Sequence, residues 1–82
     1  MKFKKKELEK KLFIIFKKVL GTSNNTSIAE LNYQKILSWD SLKHIMLIME
    51  VEKVFKIKVN EFEISELLSF KKIIKYVEKN ES

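Results

Sequence analysis

An aspartate–serine pair at the predicted start of a helix is the part of this sequence best placed to do chemistry. Ser41 begins a stretch with helical apolar periodicity that runs to about Phe55, and Asp40 directly precedes it. The free N–H groups and the dipole at a helix N-terminus favour negative charge. A serine hydroxyl there is well placed to carry a covalently attached phosphodiester. The simpler interpretation is that Ser41 only caps the helix.

The remaining polar residues offer little to a catalyst. The chain has a single histidine, His44, three residues after Ser41, and it has no cysteine. A catalytic serine needs a base and a third group that orients the base, and the sequence shows no such set, no paired carboxylates and no metal-ligand cluster. We interpret His44 as a residue at the surface or the helix edge, with a weak phosphate contact as the alternative. The sequence therefore predicts a non-enzymatic protein without catalytic residues or metal ligands.

Length and composition predict one small soluble domain over residues 1–82. One glycine, no proline and 45% hydrophobic residues favour a helical chain with a packed core. Apolar runs such as the one from Ile45 to Met49 are far too short to span a membrane. The absence of cysteine fits a reducing compartment, so we expect a monomer in the cytoplasm.

Helical spacing of apolar residues predicts an all-α fold, a small four-helix bundle with three longer helices and one short helix. The first helix ends at Gly21, the second covers about 41–55, and the last begins after Ser69. The short helix begins at Asn60, where Asn60 and Glu63 resemble a capping box, and continues to residue 67 or 68.

A long loop is expected between the first two helices, because residues 28–39 show no helical or strand periodicity. A loop of this length in a small domain usually packs on the core or serves the function. Its predicted anchors in the core are Leu31, Tyr33, Ile36 and Leu37.

The second helix has two apolar faces, although a surface helix needs only one. The predicted core face consists of Leu47, Ile48, Val51, Val54 and Phe55. The opposite face consists of Leu42, Ile45, Met46 and Met49, joined only by Lys53. Either the helix is central and covered on both sides, or the second face is an interaction surface, which methionines suit well.

The stretch from Leu37 to Leu42, Leu-Ser-Trp-Asp-Ser-Leu, resembles the attachment motif of acyl carrier proteins, in which an Asp-Ser-Leu serine carries 4′-phosphopantetheine. The resemblance continues to the end of the chain without a gap and is specific over about residues 31–78. The downstream positions that match are Ile45, Leu47, Ile48, Met49, Glu52, Phe55, Ile57, Val59, Glu61, Phe70, Ile74, Tyr76 and Val77. The Trp-Asp-Ser-Leu sequence with a nearby histidine is similar to stand-alone carriers of specialised pathways.

The resemblance implies a carrier mechanism. A phosphopantetheinyl transferase would move the arm from coenzyme A to the Ser41 hydroxyl, and the arm would hold an acyl group as a thioester. The implied partners are that transferase, an acyl- or aminoacyl-loading ligase, and acyltransferase or synthase enzymes. The implied site residues are Ser41 for attachment, Asp40 beside it, and the partner-binding residues Leu42, Ile45, Met46, Met49 and Glu50. An aminoacyl or peptidyl carrier on the same fold remains the alternative.

Charge distinguishes this chain from the familiar acidic carriers. Its net charge is +6, with eight lysines against two glutamates in residues 1–20 and seven acidic residues against five lysines in residues 30–66. Lys43 and Lys53 interrupt the predicted partner face, so we expect a dedicated partner of apolar or mixed-charge character. A small basic binder of nucleic acid or of a membrane surface is the alternative from another class. The lack of arginine disfavours nucleic acid.

The aromatic residues suggest what kind of cargo such a carrier would hold. Phe16, Phe55, Phe62, Phe70 and Tyr76 would crowd a core between the helices if several of them point inward. We therefore expect a cargo that is short or that stays outside the bundle.

Overall fold

A computed structural model describes residues 4–80, which form one short 3-10 helix, Ile28–Glu30, and four α-helices around one core. Their bounds are Lys5–Leu20 for α1, Ser41–Phe55 for α2, Glu61–Ile64 for α3 and Phe70–Asn80 for α4. The predicted all-α fold, with three longer helices, one short helix and a long first loop, is confirmed. Among residues 4–80, β-structure is limited to one isolated bridge.

The core lies where α1 packs against α2 and α4. Each long helix contributes the apolar stripe that its spacing predicts, and α1 buries Leu8, Leu12, Ile15, Phe16 and Val19. Phe16 is at the centre, because its ring lies 5.3 Å from the Phe70 ring of α4 and 5.4 Å from the Trp39 ring of the long loop. Phe62 of α3 is 84% exposed, so it does not crowd the core.

The long loop is held to the core by two buried side chains and a short backbone ladder. Leu31 and Trp39 are fully or almost fully buried. The Tyr33 N–H donates to the Leu68 carbonyl at 2.9 Å, and the Phe70 N–H donates to the Leu31 carbonyl at 2.8 Å. These bonds tie the loop to the connection between α3 and α4.

Leu37 does not anchor the loop, and that prediction is wrong. The Trp39 N–H donates to the Ile36 carbonyl at 3.1 Å, which closes a turn with Leu37 at its corner. The Leu37 side chain projects away from the core and is fully exposed. Trp39 occupies the core next to it instead.

The short helix α3 begins as predicted but ends early, at Ile64 rather than at residue 67 or 68. Asn60 caps it, because its Oδ1 atom accepts from the Phe62 N–H at 2.9 Å. The Asn60 N–H donates to the Tyr76 hydroxyl at 3.4 Å, so α4 supplies the acceptor that a capping box would take from Glu63. Ser69 caps α4 through the Lys72 N–H at 3.1 Å.

Both α1 and α2 end in a left-handed residue, which gives a prediction about stability. Gly21 has φ 70° after α1, and Lys56 has φ 56° and ψ 47° after α2. The left-handed conformation has a free-energy cost of about 1 kcal/mol or more for a residue with a Cβ atom, and it has no such cost for glycine. Lys56→Gly is therefore expected to raise the free energy of unfolding by about 1 kcal/mol, measured by urea denaturation followed by circular dichroism.

Two further variants control this expectation. Gly21→Ala should lower the free energy of unfolding by about 1 kcal/mol, although a Cβ there would meet nothing within 4 Å. Lys58→Gly, in the extended connector, should also be destabilising because it only adds freedom to the unfolded chain. If Lys56→Gly lowers the free energy of unfolding as Lys58→Gly does, the relief of strain at residue 56 does not outweigh the freedom that glycine adds to the unfolded chain.

Candidate functional site

The Ser41 hydroxyl lies at the exposed start of α2 and is not used to cap it. Asp40 is the cap, because its Oδ1 atom accepts from the Lys43 N–H at 2.9 Å and its carbonyl accepts from the His44 N–H at 2.8 Å. Within residues 4–80, the Ser41 hydroxyl makes no hydrogen bond. The interpretation of Ser41 as a simple cap is therefore wrong, and its hydroxyl is accessible for covalent chemistry.

Ser41 stands at the rim of an open groove between α2, α3 and the long loop. We call it the Ser41 groove; its volume is about 660 Å³. Its lining residues are Tyr33, Ser41, His44, Ile45, Glu61, Ile64, Ser65 and Leu68. The walls are largely apolar, with a carboxylate and a hydroxyl on the α3 side, so the groove suits an extended ligand of mixed polarity.

His44 closes the floor of this groove and joins three parts of the chain. It is only 6% exposed. Its Nδ1 atom lies 3.0 Å from the Trp39 Nε1 atom, and its Nε2 atom lies 2.6 Å from the Ile64 carbonyl oxygen. An indole N–H can only donate, so Nδ1 accepts and Nε2 carries the proton that it donates to Ile64. We call this arrangement the His44 clamp.

The prediction of His44 as a surface or helix-edge residue is therefore wrong. Both ring nitrogens are committed within the fold, so the imidazole is not free to act as a base on Ser41 or to contact a phosphate. The signal was present in the sequence. His44 lies three and four residues before Leu47 and Ile48 and so continues the buried face of α2 by one turn. Both nitrogens of the buried ring have hydrogen-bond partners, as buried polar groups need.

The second apolar face of α2 is exposed, as the interaction-surface interpretation expects. Leu42 is 69% exposed and Met49 62% exposed, and Ile45 and Met46 are also exposed. The core face lies on the opposite side of the helix, where Leu47 is fully buried. The alternative, a central helix covered on both sides, is wrong for residues 4–80. A role in partner binding stays a prediction.

The acidic residues of α2 are engaged within the chain. Glu50 forms an ion pair with Lys18 of α1, with 3.2 Å between Oε2 and Nζ. Glu52 accepts the Val59 N–H at 2.8 Å and so fixes the connector after α2. Sequence reasoning did not find either contact, because nothing in the local pattern relates α2 to residues 18 and 59.

The predicted site residues fall into two groups. Asp40 caps α2, and its first two turns carry Ser41, Leu42 and Ile45. Further along the helix, beside α1, lie Met46, Met49 and Glu50. Among residues 4–80, no group of three or more His, Asp or Glu side chains is arranged to hold a metal ion. In the same part of the chain, no helix is both long and apolar enough to cross a bilayer.

Comparison of the chain with protein-family models and with curated proteins finds no match.

Proposed function

We propose that this protein is a carrier that holds an acyl group as a thioester on a 4′-phosphopantetheine arm attached to Ser41. The observation that carries the proposal is the Ser41 hydroxyl, which is exposed at the first turn of α2 and relieved of capping by Asp40. The resemblance to acyl carrier proteins over about residues 31–78 names the chemistry that such a serine would accept.

The residues around Ser41 fit an attached phosphodiester and its arm. The dipole of α2, a helix of 15 residues, favours an anion at its first turn. The Ser41 groove offers about 660 Å³ directly beside the hydroxyl, enough to receive an extended chain. When bound, the arm supplies a thiol that holds a carboxylic acid as a thioester. Asp40 is exposed beside the hydroxyl, where its carboxylate can contact the modifying enzyme and its metal.

The carrier would present its cargo without catalysing a reaction itself. Ser41 acts as an acceptor, and the His44 clamp withholds the one imidazole that a serine nucleophile would need. The proposed partners are a phosphopantetheinyl transferase, an acyl- or aminoacyl-loading ligase, and acyltransferase or synthase enzymes. A cysteine-free chain fits the reducing cytoplasm, and we propose a monomer there.

The His44 clamp supports a cargo that is short or stays in the Ser41 groove. A long acyl chain entering the core between α2 and α3 would have to break the 2.6 Å bond from His44 to Ile64 and leave a buried donor unpaired. The groove also contains the Glu61 carboxylate. Its charge would complement the ammonium of an aminoacyl thioester, and this favours an aminoacyl carrier as the second candidate.

The proposal is tested by intact mass after incubation with coenzyme A, magnesium and a broad-specificity phosphopantetheinyl transferase. The expected result is a gain of one 4′-phosphopantetheine per chain, located on Ser41 by fragmentation. If the folded, helical protein gains no mass with this transferase or with a panel of other phosphopantetheinyl transferases, the carrier function is contradicted. The basic-binder alternative would then predict steeply salt-dependent binding to nucleic acid or anionic vesicles.

A further inference from the structure

A second groove lies between α1 and α2, away from the attachment serine. Its volume is about 510 Å³, and we call it the lysine-rimmed groove. The floor consists of Val19 from α1 and of Met46 and Met49 from α2. Met46 is 42% exposed and Met49 62% exposed. Methionine is a flexible and polarisable side chain that adapts to an inserted apolar group.

The rim of this groove is positively charged. Within residues 4–80, the charged residues that line it are Lys18, Lys43, Lys53 and one acid, Glu50. The Glu50 carboxylate is already paired with Lys18 at 3.2 Å. Lys43 and Lys53 have no ion-pair partner within residues 4–80. Along α2, Lys43 precedes the two methionines and Lys53 follows them, so both ends of this stretch carry unmatched positive charge.

The geometry points to a docking site for an acidic protein surface that inserts an apolar side chain between α1 and α2. The carboxylates of that surface would pair with Lys43 and Lys53 while the apolar group contacts Met46 and Met49. Because Met46, Met49 and Glu50 are also partner-binding residues of the proposed carrier, this inference rests on the proposed function and names the charge of its partner. The peptide experiment below does not depend on whether Ser41 is modified, so it can fail independently of the attachment test.

Other occupants fit this groove less well. A second copy of the chain in a symmetric dimer would bring the same lysines face to face, because a two-fold interface repeats one patch on both subunits. Single-stranded nucleic acid is bound largely by stacking on aromatic side chains, and none of the aromatic residues between positions 4 and 80 lines the groove. An anionic membrane meets a convex apolar face more readily than a concave floor.

The test is an amide NMR titration of the full chain with three amphipathic helical peptides of about 16 residues. They share one apolar face and carry glutamate, glutamine or lysine beside it. We expect the glutamate peptide to bind most tightly and to shift the amides of Val19, Met46 and Met49. Lys43→Glu combined with Lys53→Glu should weaken that binding roughly tenfold.

A matched control reverses two exposed lysines on α4, Lys71→Glu with Lys72→Glu, and should leave the affinity for the glutamate peptide within about twofold. Equal binding of the three peptides, shifts confined to other residues, or no binding would each overturn the proposal. It would also be overturned if the peptides fail to bind while phosphatidylserine–phosphatidylcholine vesicles bind the protein through Lys43 and Lys53. That result would identify a membrane as the occupant.

Discussion

Ser41→Ala is expected to abolish attachment of phosphopantetheine completely while the fold stays intact. The Ser41 hydroxyl is the atom that would attack the diphosphate of coenzyme A, so its removal leaves no acceptor. The structural cost is small, because the side chain is exposed and the capping bonds come from Asp40. Alanine is also a good residue at a first helical turn. Intact mass measures the modification. The free energy of unfolding, measured by thermal denaturation, should change by about 0.5 kcal/mol or less.

Ser65→Ala is the matched control for this result. Ser65 lines the same groove as Ser41 and is also exposed, so a transferase that docks there can reach both hydroxyl groups. We expect the Ser65 variant to be modified fully. If instead Ser41→Ala is still modified and Ser65→Ala is not, the attachment residue lies on the α3 side of the groove, and the resemblance assigns the wrong serine.

The long helices and the position of the candidate serine at a helix start could be predicted from sequence because they depend on local pattern. The spacing from Leu8 to Val19 defines α1, and the left-handed Gly21 terminates it. The two apolar faces of α2 could be separated because helical periodicity assigns each residue a direction. Only packing shows which face is covered: Leu47 is fully buried, whereas Leu42 and Met49 on the opposite face are exposed.

The features that sequence reasoning missed depend on contacts between distant residues. The partner of Glu50 lies 32 residues away, and the second partner of His44 lies 20 residues away. Leu37 is exposed because a turn directs it outward, although its type alone favours burial. Hydrophobicity identifies candidates for the core, but the path of a loop decides which of them enter it.

His44→Leu is expected to be the most destabilising substitution near the site. Leucine preserves much of the volume but removes the acceptor of the Trp39 N–H and the donor to the Ile64 carbonyl. A buried polar group that loses its partner costs about 1–3 kcal/mol, so the two losses together cost roughly 2–6 kcal/mol. A domain of this length has a total stability of roughly 4–12 kcal/mol. Urea denaturation followed by circular dichroism measures the change.

A double-mutant cycle with Trp39→Phe separates the hydrogen bond from packing. Each single variant leaves one member of the 3.0 Å pair buried without its partner, whereas the double variant removes both. We expect the double variant to be more stable than the sum of the single effects predicts, by about 1 kcal/mol. If the destabilisation of the double variant equals the sum of the two single effects, the hydrogen bond between Trp39 and His44 does not stabilise the fold, and both single effects come from lost packing.

Hydrogen exchange provides the readout that is specific for the clamp. His44 holds the last carbonyl of α3, a helix of only four residues that buries no side chain fully. We therefore expect His44→Leu to increase the exchange rates of the α3 amides more than those of the α1 amides, after correction for the change in global stability. Val77→Ala removes volume from the core face of α4. It should accelerate exchange only by lowering the free energy of global unfolding. If both variants affect α3 and α1 in the same proportion, His44 stabilises the fold as a whole and does not hold α3 against α2.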